Sequence, residues 1–62
     1  MYPNLRAEQA RKNLTNQQMA ELLGFTRNTY ESKKKTGKFT ADECKKLCDL
    51  FSCDFDYLFA NN

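Results

Sequence analysis

LTNQQMAELLGFTRNTY, residues 14–30, holds two helix starts and one helix stop. Thr15 is placed to cap a helix, and Gln18 three residues on is the return partner of a capping box. Leu14 and Met19 stand where a hydrophobic staple packs across that cap. Met19, Ala20, Leu22 and Leu23 give an inward stripe, and Gly24 ends the helix at a position that readily turns left-handed. Phe25 follows as a buried turn residue. Thr26 then caps a second helix, from Arg27 to about Lys35.

The steps between Ala20, Gly24 and Tyr30 have a physical reason. Two helices that cross steeply over a short turn need a small residue where they approach, and Ala20 supplies it. The turn needs a residue that tolerates positive φ, which Gly24 provides. The second helix needs an apolar anchor in the shared core, a role Tyr30 can fill. Residues 15–35 therefore read as a helix-turn-helix motif, an arrangement in which the second helix lies in the major groove with its first residues at base edges.

Outward from this segment the signals stay helical. Asn4 is expected to cap a first helix over residues 5–12, ending at Asn13. Its apolar content is thin (Leu5, Ala7, Ala10), so it serves as a lid. Downstream, Thr40 is an N-cap with Glu43 closing the box and Phe39 packing on Cys44 as a staple. Asp42 and Glu43 also suit the positive end of the helix dipole. Cys44, Leu47, Cys48 and Phe51 recur at i, i+3, i+4 and i+7, one face of an amphipathic helix. Asp54 starts a last short helix with Phe55, Leu58 and Phe59. Phe25, Tyr30, Phe39 and Phe51 are the expected aromatic core. No window alternates with period two, so the fold class is all-α, a compact five-helix bundle.

Composition sets the limits. The chain has 62 residues, 40% hydrophobic and 29% charged, which fits one globular domain over residues 1–62 and no deep, walled cavity. No apolar run is long enough to span a bilayer or act as a secretory segment, so no membrane partner and a cytoplasmic location are expected. Residues 1–38 hold eight Lys/Arg against three acids, +5, while residues 39–62 hold two against five, −3. A domain polarised in this way can present its basic end to a polyanion. The three cysteines, Cys44, Cys48 and Cys53, lack CxxC spacing and no histidine is present, which argues against a zinc site and for free thiols acting as small core hydrophobes. No metal, cofactor or small-molecule substrate is expected. Without a histidine or a phosphate-cradling glycine loop, an enzyme is not expected either.

Over nearly its whole length the chain resembles the Cro/phage-repressor type of helix-turn-helix regulator, with residues 14–30 similar to that family's central pattern and FTADECKKLCDLFSCDFDYLF, residues 39–59, similar to its last two helices. The opening Asn4-Leu5-Arg6-Ala7-Glu8 also resembles short phage regulators. The resemblance implies a lambda-repressor-like five-helix DNA-binding domain that acts on a double-stranded operator, often as a homodimer. One position departs from the pattern. Three residues after Tyr30, where the family commonly has Trp, Ile or Val, this chain has Lys33. The loop Thr36-Gly37-Lys38 also lacks the usual Asn-Gly, so a frayed last turn is expected for the helix carrying Arg27.

The positions that the resemblance assigns to base reading fall on Arg27, Asn28, Glu31 and Ser32. Arg27 suits guanine O6 and N7, Asn28 suits adenine N6 and N7, Glu31 can accept from cytosine N4, and Ser32 is undiscriminating. Glu31 has an alternative role in helix salt bridges, four residues from both Arg27 and Lys35. Asn16, Gln17 and Thr26, at two helix starts, are expected to hold phosphates, as are Lys33, Lys34, Lys35 and Lys38, whose alternative is a solvated cationic patch. Phe55, Tyr57 and Phe59 exceed what so small a core covers, which suggests a dimer or partner surface. Two functions stand side by side. One is a sequence-specific DNA-binding transcriptional regulator of the Cro or repressor kind, with residues 27–35 as the reading helix. The other is a protein-binding modulator, an anti-repressor that keeps the fold and acts on another repressor.

Overall fold

A computed structural model describes residues 1–61. Five helices follow in order: α1 (Pro3–Arg11), α2 (Asn16–Leu23), α3 (Arg27–Thr36), α4 (Ala41–Phe51) and α5 (Phe55–Leu58), with no strand among the described residues. Three threonines set the frame. The hydroxyl of Thr15 accepts from the Gln18 N–H at 3.1 Å, that of Thr26 from the Thr29 N–H at 3.2 Å, and that of Thr40 from the Glu43 N–H at 3.2 Å. Gln18 and Glu43 return the bond to their caps at 2.8 and 2.9 Å, so both capping boxes are closed. Each satisfies two amide donors that the helix itself leaves without partners.

The stops are as local as the starts. Asn13, Gly24 and Ser52 are left-handed, and the residue after each donates its N–H back across the last turn: Leu14 to Gln9 O, Phe25 to Ala20 O, Cys53 to Cys48 O. These are Schellman motifs. α3 ends more simply, at left-handed Gly37, whose N–H reaches Lys33 O at 2.8 Å.

α2 and α3 make the most extensive helix–helix contact, with Ala20 fully buried and Gly24 left-handed at φ 78°. A side chain at Gly24 would meet open space, so the glycine is there for its backbone and not for room. Leu5, Met19, Ala20, Leu23, Tyr30, Leu47, Phe51 and Leu58 make the core. Phe25 and Phe39 are only half-buried against it, while Tyr30 and Phe51 are inside.

Three expectations are corrected. First, α1 begins at Pro3, after a left-handed Tyr2 at φ 61°, and Asn4 does not cap it. Proline's fixed φ suits the first helical turn, and the Asn4 amide instead donates to Tyr57 O at 2.8 Å, fastening α1 to α5. Second, Leu22 is 56% exposed. It lies about 100° around the helix from Leu23, off the narrow face formed by Met19, Ala20 and Leu23.

The third correction concerns the end of α3, which is regular through Thr36. Lys33 takes the apolar anchor's place by a different physics. Its ammonium donates to Glu43 Oε1 at 3.2 Å and to Lys38 O at 3.2 Å, and sits 5.1 Å from the centre of the Phe25 ring. The aliphatic stem covers apolar surface while the charge reaches a carboxylate at the start of α4. Gly37 is also held from behind. A Cβ built there would lie 2.8 Å from both Met1 Sδ and the Tyr2 hydroxyl, and that hydroxyl donates to Gly37 O at 3.3 Å.

Candidate nucleic-acid interface

The outward face of α3 carries Arg27, Asn28, Glu31 and Ser32, all exposed. The Thr26 cap fixes where the helix begins, and buried Tyr30 fixes which side of it faces the core. Arg27 Nε lies 3.6 Å from Glu31 Oε2, so the intrahelical pairing weighed for Glu31 is present with Arg27. Both partners are largely exposed, and such a pair contributes only about 0–1 kcal/mol. Either residue can exchange it for a better partner.

A recess flanks this face on the α1 side, lined by Met1, Arg6, Asn16, Glu31, Lys34 and Lys35. On the other side a shallow groove runs along Asn28, Thr29, Ser32, Lys33, Thr36 and Lys38. Reading the sequence placed Asn16, Lys34 and Lys35 among phosphate-holding residues, and they come together around the recess. Arg6 joins them from α1, a contribution that the thin apolar content of that helix does not signal.

Beneath the recess runs a chain of hydrogen bonds that the sequence reading also missed. The Tyr30 hydroxyl donates to Gln9 Oε1 at 2.8 Å. The Gln9 amide donates in turn to Leu14 O at 3.0 Å and Asn16 Oδ1 at 2.9 Å. Asn16 Oδ1 also accepts from Lys34 Nζ at 2.9 Å, while its amide donates to Glu31 Oε2 at 3.1 Å. One asparagine therefore sets the geometry of a cation and an anion on α3. The available signal was Gln9's spacing from Leu5, i and i+4, which puts it on the buried face of α1.

The charges here are shaped by burial. Lys34 sits 4.7 Å over the Tyr30 ring. Desolvation, then Arg6 nearby, lower its pKa, and Glu31 opposes them. Burial pushes the Tyr30 hydroxyl well above its ordinary value, so it stays a neutral donor to Gln9.

The remaining candidates divide. Thr26 is occupied by its cap, its hydroxyl also donating to the Thr29 hydroxyl at 3.0 Å. Gln17 donates to Glu21 Oε2 at 3.1 Å. Lys35 and Lys38 are exposed, whereas Lys33 is tied to Glu43. At the C-terminal end, Phe55 and Tyr57 are 56% and 42% exposed. Phe59 is half-buried, with its ring centre 5.2 Å from Tyr2, 5.8 Å from Phe39 and 5.1 Å from Phe55. Tyr57 donates to Glu8 Oε2 at 2.9 Å, and this bond to a carboxylate is the main reason its hydroxyl pKa is raised. Among the described residues no three His, Cys, Asp or Glu side chains group to hold a metal, and no helix is long and apolar enough to cross a membrane.

A family model, the Cro/C1-type HTH (helix-turn-helix) DNA-binding domain, matches residues 4–60. No curated protein and no solved structure shows a significant match.

Proposed function

The chain belongs to the Cro/C1-type helix-turn-helix DNA-binding domain family, a non-enzymatic family, and from that premise we propose that it is a sequence-specific transcriptional regulator of the repressor kind that lays α3 in the major groove. The observation that carries this reading is the outward face of α3. Arg27, Asn28, Glu31 and Ser32 are exposed there on a helix capped at its start by Thr26 and anchored by buried Tyr30. These four are the proposed base readers. Asn16, Gln17, Thr26, Lys34, Lys35 and Lys38 are the proposed phosphate contacts, and we add Arg6 from across the recess. Lys33 we assign to holding α3 on α4 through Glu43. A homodimer would place two such helices on half-sites about 34 Å apart, and exposed Phe55 and Tyr57 support a joining surface at the C-terminal end.

A second reading, an anti-repressor that binds another regulator, draws on one observation. Two of the lysines in the basic run, Lys33 and Lys34, direct their ammonium groups to partners within the protein. A titration against the DNA flanking its own gene, at two ionic strengths, separates the two. Tight binding that weakens steeply with salt upholds the regulator. Failure of micromolar protein to shift that DNA at low salt, together with co-elution with a neighbouring repressor, upholds the anti-repressor.

A further inference from the structure

Cys44, Cys48 and Cys53 line one open, largely apolar groove between α4 and α5, walled on one side by Phe55. None of them takes part in the proposed DNA interface. All three are half-buried thiols. We propose that Cys48 and Cys53 form a dithiol site at the α4–α5 joint that low-molecular-weight disulfides oxidise to an intramolecular disulfide, while Cys44 stays reduced.

Geometry selects the pair. Cys44 and Cys48 are four residues apart inside α4, where Cβ atoms are about 5–6 Å from each other. A disulfide needs Cβ atoms about 3.5–4.5 Å apart, and the regular helical bonds of α4 resist that closure. Cys48 and Cys53 are related differently. α4 stops at left-handed Ser52, whose N–H reaches Asp49 O at 3.4 Å, and the Cys53 N–H reaches Cys48 O at 3.1 Å. These are the two positions whose side chains a Schellman motif brings into contact. Cys53 lies past the helix end, so it can adjust without breaking a helical turn. Its thiol points back over that end, donating to Phe51 O at 3.3 Å.

The chemistry closes on itself. The first thiolate of the pair attacks one sulfur of the small disulfide and expels one small thiolate, which takes up a proton. The second cysteine, deprotonated, attacks the protein sulfur of that mixed disulfide and expels the other small thiol. Two protein thiols and one small disulfide become one protein disulfide and two small thiols. The protein is oxidised and the small disulfide reduced. Burial, then Asp49, Cys53 and Asp54, push the Cys48 thiol pKa up, so oxidation quickens as pH rises from about 7 to about 9.

The full-length chain, equilibrated in glutathione buffers of increasing oxidised share and quenched with iodoacetamide, tests this by peptide mass mapping. Cys48 and Cys53 are expected to lose label together, with an intact-mass loss of about 2 Da in an acid-quenched, unalkylated aliquot and Cys44 still labelled. Cys44→Ser should crosslink as the unmodified chain does, and Cys48→Ser and Cys53→Ser should not crosslink. A Cys44–Cys48 crosslink, a disulfide between two chains, or three equally labelled cysteines across the whole series would overturn the assignment.

Discussion

Arg27, at the first position of α3, has only a long, exposed ion pair with Glu31 to give up. That pair is too weak to compete with a bidentate bond to guanine. Arg27→Ala is therefore expected to cost roughly 1–3 kcal/mol of operator affinity and to relax the preference at one base pair, read by competition with single-base operator variants. Tyr30 is a contrasting residue. Tyr30→Phe keeps the ring in the core but leaves buried Gln9 Oε1 without its donor. A loss of roughly 1–3 kcal/mol in the urea unfolding free energy is expected. The sequence shows Tyr30 as an anchor because the motif's spacing demands an apolar residue there. Gln9 is hidden from that logic, since its partner lies on another helix and the pairing exists only once folding brings Gln9 to Tyr30. Asn16 was legible as a polar helix start, but not as the hub that orients Lys34 and Glu31.

Helix starts at Thr15, Thr26 and Thr40 were legible because a cap and its partner lie three residues apart. The start of α1 was not, because Tyr2 takes its left-handed turn among Gly37, Phe39 and Phe59, all distant in sequence. Lys33 misled for a similar reason. Read alone it is a missing anchor, while in the folded protein it joins the end of α3 to the start of α4. Burial raises the Glu43 pKa, but the Thr40 backbone and Lys33 outweigh it and hold the carboxyl below its ordinary value. Stability from that shift is fully present above the ordinary glutamate pKa and is lost as pH falls through the lowered folded value. Glu43→Gln should therefore lower the urea midpoint at neutral pH, with the difference from the unsubstituted protein vanishing in acid. A midpoint difference that does not change with pH would show that the Glu43 carboxyl is not held below its ordinary pKa by Thr40 and Lys33.

Across the molecule, charge was the most legible property and the least specific. The sequence shows a basic first part and an acidic second, yet not which cations face outward. Folding brings Arg6 to the same recess as Lys34 and Lys35, and spends Lys33 on Glu43. The slope of log affinity against log salt should consequently fall by about 1 in Arg6→Ala and in Lys35→Ala. In Lys33→Ala it should hardly change, while unfolding midpoints drop; fluorescence anisotropy at four or more salt concentrations reads the slopes. The seating of Met1 and Tyr2 behind Gly37 has a practical corollary. Anything fused ahead of Met1 emerges beside the tail of the helix proposed to read the duplex, and removing the first two residues should loosen that tail without altering a single proposed base contact.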